Sequence, residues 1–423
     1  MQKEISMIRK IIASLLAVML LGGLVACAND EYTDDGTGTE DNAEQNTSDN
    51  GNEDNKMEDN KEDETPTVTP TTIALNSTTK GIKILGERML SSESQINCDW
   101  TCSGIEFTLD SAGGSLTVKA SSDKPCYFRA YVDGVAWSSA SGSVHYTVDG
   151  ESEMKLPAIP KGTHTIRIIK VSGHTLARAE LKEMTFYGTV SETAPAKNDT
   201  YIEFIGDSIS CGWGVLDSKN QDGTYTGQDG SMAYPYLISK ELNADYSITA
   251  LSGQGLVFSG TGMPNMTDGY LLCSPLRDGN TAYEFERKAD AVVINIGTND
   301  YSKNIPEAEF KAAYKALIET IREKNGADCK IICLYNTMND TFSSAITDVC
   351  RQLGGQAGGV YCYKLNRANS GHPTSSENLA YVKVIKEVIS NALNSVVTEN
   401  SMTAASNGDG MTVDFKKDLK PLA

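Results

Sequence analysis

Apolar strand-like runs alternate with helix-like segments along the second half of the chain. The segment 306–324 carries apolar side chains at the spacing of one helix face, at Phe310, Tyr314, Leu317 and Ile321. Helices are also predicted over 233–242 and 376–396, and strands over 201–205, 246–250, 291–296, 330–335 and 360–364. This alternation predicts a parallel sheet with helices on both faces. We therefore expect an α/β domain over 199–397, a five-stranded flavodoxin-like three-layer sandwich with its first strand in the centre.

Residues 71–190 follow a different pattern, in which short β-prone runs are separated by turn residues. The runs 115–119, 127–132 and 164–169 alternate or are rich in β-branched and aromatic side chains. Pairs such as Gly113-Gly114 and Asp133-Gly134 supply turns between them. Many short strands at close spacing predict an N-terminal β-sandwich (jelly-roll) domain, joined to the α/β domain by a linker over 191–198.

The beginning of the chain has the pattern of an export signal. Lys3, Arg9 and Lys10 precede an apolar stretch at 11–21, and Leu24-Val25-Ala26-Cys27 follows it. That ending matches the lipobox of bacterial lipoproteins, so residues 1–27 are predicted to be a lipoprotein signal peptide with Cys27 as the lipidated residue. The alternative is an ordinary secretory signal with a chance cysteine. We expect an exported, membrane-anchored protein at the surface of a bacterial cell.

Charge is concentrated between the signal and the β-rich domain. Residues 29–64 hold fifteen acidic side chains against only Lys56 and Lys61, so most of the net charge of −19 lies there. Such a segment cannot bury enough apolar surface to offset its ordering entropy, which predicts a disordered acidic linker over 28–70. A polar tail is expected over 398–423. No basic cluster suggests nucleic acid, and contact with the membrane is expected through the lipid anchor only.

Ten cysteines in an exported chain suggest disulfides, but their arrangement does not define a framework. Without Cys27 the number is odd. Cys329 and Cys333 fall in an apolar, strand-like run, which favours buried free thiols over zinc ligands. We predict no metal site, and the sequence leaves any pairing of the other cysteines open.

Four residues with complementary chemistry follow four of the predicted strands. Ser208 closes a Gly-Asp-Ser turn after the first strand, and Gly253 follows the second. Asn299 follows the third strand, and His372 lies between the last strand and the closing helix. Ligands bind outside the carboxyl ends of the strands in such sheets, so these groups are expected to share one crevice. A hydroxyl, a base and oxyanion donors are what ester cleavage by serine requires.

At these residues the sequence resembles the SGNH/GDSL hydrolases, over about residues 199–397. Gly206 to Gly214, Gly-Asp-Ser-Ile-Ser-Cys-Gly-Trp-Gly, is similar to carbohydrate esterase family 2, which also carries a β-sandwich ahead of the hydrolase. The resemblance implies removal of O-acetyl groups from polysaccharides such as xylan or glucomannan, without a cofactor. It implies that Ser208 is the nucleophile and His372 the general base. The N–H groups of Ser208 and Gly253 and the Asn299 amide would form the oxyanion hole.

Two further residues are candidates with less defined roles. SGNH enzymes usually have Asp three residues before the histidine, where this chain has Asn369. An amide oxygen could orient the imidazole but carries no charge, so the resemblance implies a Ser-His dyad with Asn369 as a possible orienting residue. Trp213, five residues after the serine, is either a sugar-stacking residue in the crevice or a core residue under the next helix.

These features favour a serine esterase that deacetylates an acetylated polysaccharide or oligosaccharide. Three alternatives stay open from the sequence. A lipase or thioesterase of the same superfamily would need an extended apolar groove, and residues 251–276 are instead mixed in polarity. A catalytically relict glycan-binding lipoprotein draws support from Asn369. A purely structural surface protein is the least compatible with four ordered catalytic residue types.

Overall fold

The structure is a computed structural model, and it describes residues 69–217, 223–260, 262–277, 281–340, 342–366 and 371–395. The predicted signal peptide with Cys27, the acidic linker up to residue 68, Asn369 and the polar tail lie outside the described residues. Within those ranges, no helix is long and apolar enough to cross a bilayer.

The N-terminal part is built from antiparallel strands. Strands β4 and β8 are 19 residues each and pair along most of their length, with β9 and β5 on their outer sides. Their inward side chains, such as Phe107, Val118 and Ile168, form a separate apolar core. Hydrogen bonds join all ten strands into one sheet, so the jelly-roll topology stays a prediction. The strands are β1 Thr71–Ala74, β2 Ile82–Leu85, β3 Ile96–Cys98, β4 Gly104–Ser122, β5 Cys126–Val132, β6 Val135–Trp137, β7 Tyr146–Val148, β8 Ser152–Lys170, β9 Ala179–Phe186 and β10 Gly188–Val190.

The second part contains a five-stranded parallel sheet at the predicted positions. The strands are β11 Tyr201–Gly206, β12 Asp245–Ala250, β13 Ala291–Asn295, β14 Lys330–Tyr335 and β15 Val360–Lys364. Their order is β12-β11-β13-β14-β15, with every neighbouring pair parallel. The prediction that the first strand is central was therefore wrong. Strand β11 is an interior strand, but only β12 lies on one side of it while three strands lie on the other, so β13 is the middle strand.

Helices cover both faces of this sheet and complete three layers. The helices are α1 Tyr234–Glu241, α2 Met266–Gly269, α3 Thr298–Ser302, α4 Glu307–Asn325, α5 Ser343–Gln352 and α6 Ser375–Asn394. Side chains of α1 and α6 share one core with alternate sheet residues such as Phe204 and Val293. Helices α4 and α5 share the other core with Ile205 and Ile294. The α/β sandwich predicted for this part is the observed architecture.

Fully buried polar contacts join the two sheets into one compact unit. Arg88 of the β-rich part donates to Glu203 Oε1 of β11 at 3.3 Å and to the Tyr270 carbonyl at 2.5 Å. Its guanidinium also lies 4.0 Å from the centre of the Tyr283 ring. Trp100 Nε1 donates to the Cys273 carbonyl at 2.7 Å. Because both side chains of the Arg88–Glu203 pair are excluded from water, the charge of each is stabilised by the opposite charge of the other.

The nine cysteines within the described residues are all free thiols. Cys329 precedes β14 and Cys333 lies within it, and both are buried, in agreement with the interpretation of that run as a strand. No cluster of metal-ligating side chains occurs among the described residues.

Candidate active site

The Gly-Asp-Ser turn places Ser208 at the carboxyl end of β11. All six residues of this strand are buried, and Gly206 ends it where a side chain would collide with Ser210, 2.1 Å from an added Cβ. The serine that follows is 8 % exposed, which gives its hydroxyl limited access to the crevice. The Ser208 hydroxyl therefore lies just beyond the end of a buried interior strand.

His372 reaches the same point from the opposite end of the chain. Its Nε2 lies 2.8 Å from Ser208 Oγ. The histidine stands two residues before Thr374, which caps α6 through a reciprocal pair of bonds with Glu377. Burial lowers the pKa of the His372 imidazole to about 4, so the ring is neutral at neutral pH and can accept a proton. Ser208 and His372 thus meet as the sequence predicted.

Trp213 lies in the crevice against the histidine. Its indole stacks on the His372 ring with 5.4 Å between centroids and 21° between planes. Gly212 and Gly214 on either side of it have positive φ angles of 75° and 67°, a backbone conformation that favours glycine. Gly223 fits against the edge of the indole, where an added Cβ would lie 1.9 Å from the ring. Of the two interpretations of Trp213, the contact with His372 favours a residue of the crevice over a core residue.

The three predicted oxyanion donors lie at the ends of β11 and β12 and just after β13, which are adjacent strands of the sheet. No hydrogen bond within the described residues uses the backbone N–H of Ser208 or of Gly253. Gly253 is exposed, has φ of 79°, and has open space where a Cβ would stand, so a ligand can approach its N–H. The Asn299 amide donates to the Gln254 carbonyl at 2.9 Å and reaches Asp207 Oδ2 at 3.4 Å, which ties β13 to the other two strand ends.

Two buried carboxylates shape this crevice, and sequence reasoning assigned them no role. Asp300 accepts three consecutive N–H groups, from Leu256 at 2.7 Å, Val257 at 2.8 Å and Phe258 at 2.9 Å. Asp207 accepts the Ile209 N–H at 3.0 Å, and burial raises the pKa of its carboxyl to about 7. Both aspartates come shortly after a glycine at the end of a strand, and this position could have marked them as candidates in the sequence. Their hydrogen-bond partners could not be predicted, because these depend on how the chain folds back.

Comparison with known proteins shows which families the chain is similar to. Residues 204–405 match the GDSL-like Lipase/Acylhydrolase family. The chain is 30% identical to cellulase/esterase CelE of Acetivibrio thermocellus over 288 residues, covering 65% of this chain but 34% of that protein. It thus spans about a third of this relative's length. It is 23% identical to an acetylxylan esterase / glucomannan deacetylase of Cellvibrio japonicus, covering 58% of this chain and 68% of that protein.

A solved structure extends the likeness to both sheets. A family two carbohydrate esterase from Clostridium thermocellum in complex with cellohexaose is 26% identical, with a TM-score of 0.65. The alignment covers 74% of this chain and 99% of that one. The printed names of these relatives are those of carboxylic ester hydrolases. The part of the chain that holds Ser208, Asn299 and His372, residues 204–405, is thus similar to the GDSL-like Lipase/Acylhydrolase family, and the relatives of the chain include family two carbohydrate esterases.

Proposed function

We propose that this protein is a serine esterase that removes O-acetyl groups from a polysaccharide such as xylan or glucomannan. The observation that carries the proposal is the 2.8 Å approach of Ser208 Oγ to His372 Nε2 at the carboxyl edge of the parallel sheet. Within the described residues the backbone N–H groups of Ser208 and Gly253, which follow the neighbouring strands β11 and β12, donate no hydrogen bond, which supports their proposed use as oxyanion donors. The names of the relatives, acetylxylan esterase and glucomannan deacetylase, support the choice of substrate class.

The geometry supports a two-step acyl transfer. Ser208 Oγ attacks the acetyl carbonyl carbon while His372 Nε2 takes the hydroxyl proton. The oxyanion that forms is stabilised by the N–H groups of Ser208 and Gly253 and by the Asn299 amide. When the C–O bond to the sugar breaks, His372 returns its proton to the departing sugar oxygen. An acetyl group is left on Ser208.

Water completes the reaction by the same groups. His372 takes a proton from water as the water oxygen attacks the acetyl carbon, and the bond to Ser208 Oγ then breaks with return of the proton to the serine. One water is consumed, and one acetic acid and one free sugar hydroxyl are formed. The chemistry uses only side chains and backbone of this chain and needs no cofactor.

The orientation of the imidazole involves residues beyond the dyad. Asn369 stays a predicted orienting residue, because it lies outside the described residues. We expect Asn369→Ala to lower kcat on a small acetyl ester without raising KM, since an orienting residue would act through the imidazole and not on the bound substrate. Unchanged turnover would remove Asn369 from the mechanism.

Acetate release tests the proposal directly. The wild type is expected to release acetate from acetylated xylan or glucomannan and from a small acetyl ester. Ser208→Ala and His372→Ala should each lower turnover about 10⁴-fold or more, because each removes a member of the reacting pair. Ser210→Ala is a matched control one turn away, since its hydroxyl bonds Tyr234 and not the histidine. Absence of acetate from every substrate would refute the enzymatic assignment.

We also propose that the mature protein is held at the membrane by a lipid on Cys27, a proposal that rests on the lipobox sequence alone. In cells, the wild type is expected in the membrane fraction and Cys27→Ser in the soluble fraction or medium. Equal distribution of the two would contradict the anchor.

A further inference from the structure

Three aromatic rings from the two parts of the molecule meet beside the crevice. Tyr127 of β5 stacks on His145 with 4.8 Å between centroids and 23° between planes. Tyr225, from the α/β part, packs edge-on against Tyr127 at 5.0 Å and 74°. All three side chains are partly exposed. We call Tyr127, His145 and Tyr225 the ring cluster.

Contacts connect the ring cluster to the nucleophile. Ser208 touches His372, and His372 stacks on Trp213. Gly223 lies against the edge of the Trp213 indole. Tyr225 is two residues further along the same segment, which places the ring cluster within reach of a chain molecule bound at Ser208.

The segment that carries Tyr225 is held in place from both sides. Leu216 N donates to the Gly227 carbonyl at 3.1 Å. Asp229 is fully buried and binds Arg129 Nε at 2.9 Å and His145 Nε2 at 2.8 Å. The ring of His145 is therefore fixed by the same carboxylate that ends the Tyr225 segment. Fixed rings bind a ligand with little further loss of side-chain entropy.

The chemistry of the ring cluster suits a neutral sugar chain. Tyr225 is flanked by Thr224 and Thr226, whose side chains are exposed and whose hydroxyls lie 2.7 Å apart. Rigid aromatic surface next to hydroxyl groups offers both an apolar face and hydrogen-bond partners. The carboxylate that contacts the ring cluster, Asp229, is buried and paired with Arg129, so it is not exposed to a ligand.

We propose that the ring cluster is an accessory subsite for the backbone of the polysaccharide, away from the acetyl group that is cleaved. This inference rests on the proposed function. In this proposal the β-rich part binds the polysaccharide directly through Tyr127 and His145, and the α/β part contributes Tyr225. The occupant is a neutral glycan chain long enough to reach from Ser208 to Tyr225.

Substrate length tests the subsite. The readout is the ratio of kcat/KM on acetylated glucomannan to kcat/KM on a small acetyl ester. Tyr225→Ala is expected to lower this ratio about five- to tenfold, the effect of losing one aromatic stacking contact. Tyr225→Phe keeps the ring and should retain most of it. Leu379→Ala, an exposed apolar side chain on α6, is the matched control and should leave the ratio unchanged. An unchanged ratio in folded Tyr225→Ala would overturn the proposal.

Binding without catalysis separates this inference from the proposed function. In the Ser208→Ala background, calorimetry with cellohexaose and with deacetylated glucomannan should show five- to tenfold weaker binding when Tyr225→Ala is added. Equal affinity in the two proteins would overturn the subsite even if acetate release is confirmed. Weaker binding together with no acetate release would support the subsite and refute the esterase. Tyr225 belongs to none of the three apolar cores, so thermal melts of each variant are expected to match that of the wild type and serve as the folding control.

Discussion

At the scale of single residues, Asp300 controls the backbone that follows Gly253. Its carboxylate accepts three successive N–H groups, so residues 256–258 must turn around it. Gly255 is required on the inside of this turn, because an added Cβ would lie 2.4 Å from Asp300 Oδ1. The backbone that follows Gly253 therefore depends on a carboxylate that is itself fully buried.

Replacement of Asp300 by asparagine should impair both folding stability and turnover. One side-chain oxygen becomes an NH₂ group, which leaves at least one buried N–H unpaired and costs about 1–3 kcal/mol. If the turn shifts, the Gly253 donor moves and kcat on a small acetyl ester falls, up to about 10²-fold for a lost oxyanion donor. Urea unfolding and initial rates measure the two effects. A stable variant with wild-type kcat would show that the turn holds without the carboxylate.

The low pKa of His372 predicts where the acid limb of activity lies. The general base must be neutral, and burial lowers the pKa of its imidazole to about 4 from the usual 6.5. Activity is therefore lost only as pH falls through about 4, and kcat/KM on a small ester should be level between pH 6 and 8. A profile of kcat/KM against pH measures this, because its acid limb reports the pKa of the general base in the free enzyme. A limb near 6.5 would mean that the ring is solvated in solution.

At the scale of elements, a capped helix begins two residues after His372. Thr374 Oγ1 accepts the Glu377 N–H at 3.2 Å, and Glu377 Oε2 accepts the Thr374 N–H at 2.9 Å. This capping box starts α6 two residues after the histidine. Because Pro373 is buried between them, the position of the ring follows the start of the helix.

Loss of this cap should be visible in stability. Thr374→Ala is expected to lower the free energy of unfolding by about 1 kcal/mol, the usual effect of removing an N-cap side chain. Lys383→Ala, at an exposed position further along α6, is the control and should change it by less than about 0.5 kcal/mol. Denaturant titration compares them. Equal stability of Thr374→Ala and wild type would indicate that tertiary packing alone fixes the helix start.

Local pattern was sufficient for some of these elements and not for others. Strand β11 and the turn at Ser208 could be predicted because an apolar run ends in Gly-Asp-Ser. The place of β11 in the sheet could not, since strand order depends on which side each crossover takes. Trp213 stayed ambiguous because one aromatic residue after a strand has no periodicity to orient it. The partners of Asp300 depend on a loop that folds back from β12, which no local signal describes.

At the scale of the whole molecule, the two sheets depend on a charge pair that is closed to water. Arg88 and Glu203 have side-chain exposures of 0%, and Glu203 also accepts the hydroxyls of Tyr201 at 3.0 Å and Tyr270 at 2.7 Å. Removing one ion of such a pair leaves the other without compensation in a medium of low dielectric constant.

Arg88→Met should therefore destabilise the protein by about 3–5 kcal/mol. Arg88→Met combined with Glu203→Gln should recover part of this loss, because the uncompensated charge is gone while one tyrosine hydroxyl keeps an oxygen acceptor and the other can accept from the new amide NH₂. Guanidinium unfolding of both variants, followed by circular dichroism, tests the coupling. If the double variant is less stable than Arg88→Met, Glu203 contributes independently of the arginine.

The same pair has a consequence for the order of events during synthesis. Arg88 leaves the ribosome 115 residues ahead of Glu203. Through that interval the β-rich part is available to fold around its own core, but its guanidinium has no carboxylate to meet and must stay hydrated. Docking of the two sheets is thereby postponed until β11, the strand that carries the nucleophile, has emerged. Because burial of Arg88 needs the carboxylate of β11, the β-rich part is expected to keep the surface around Arg88 open to water until that strand has been made.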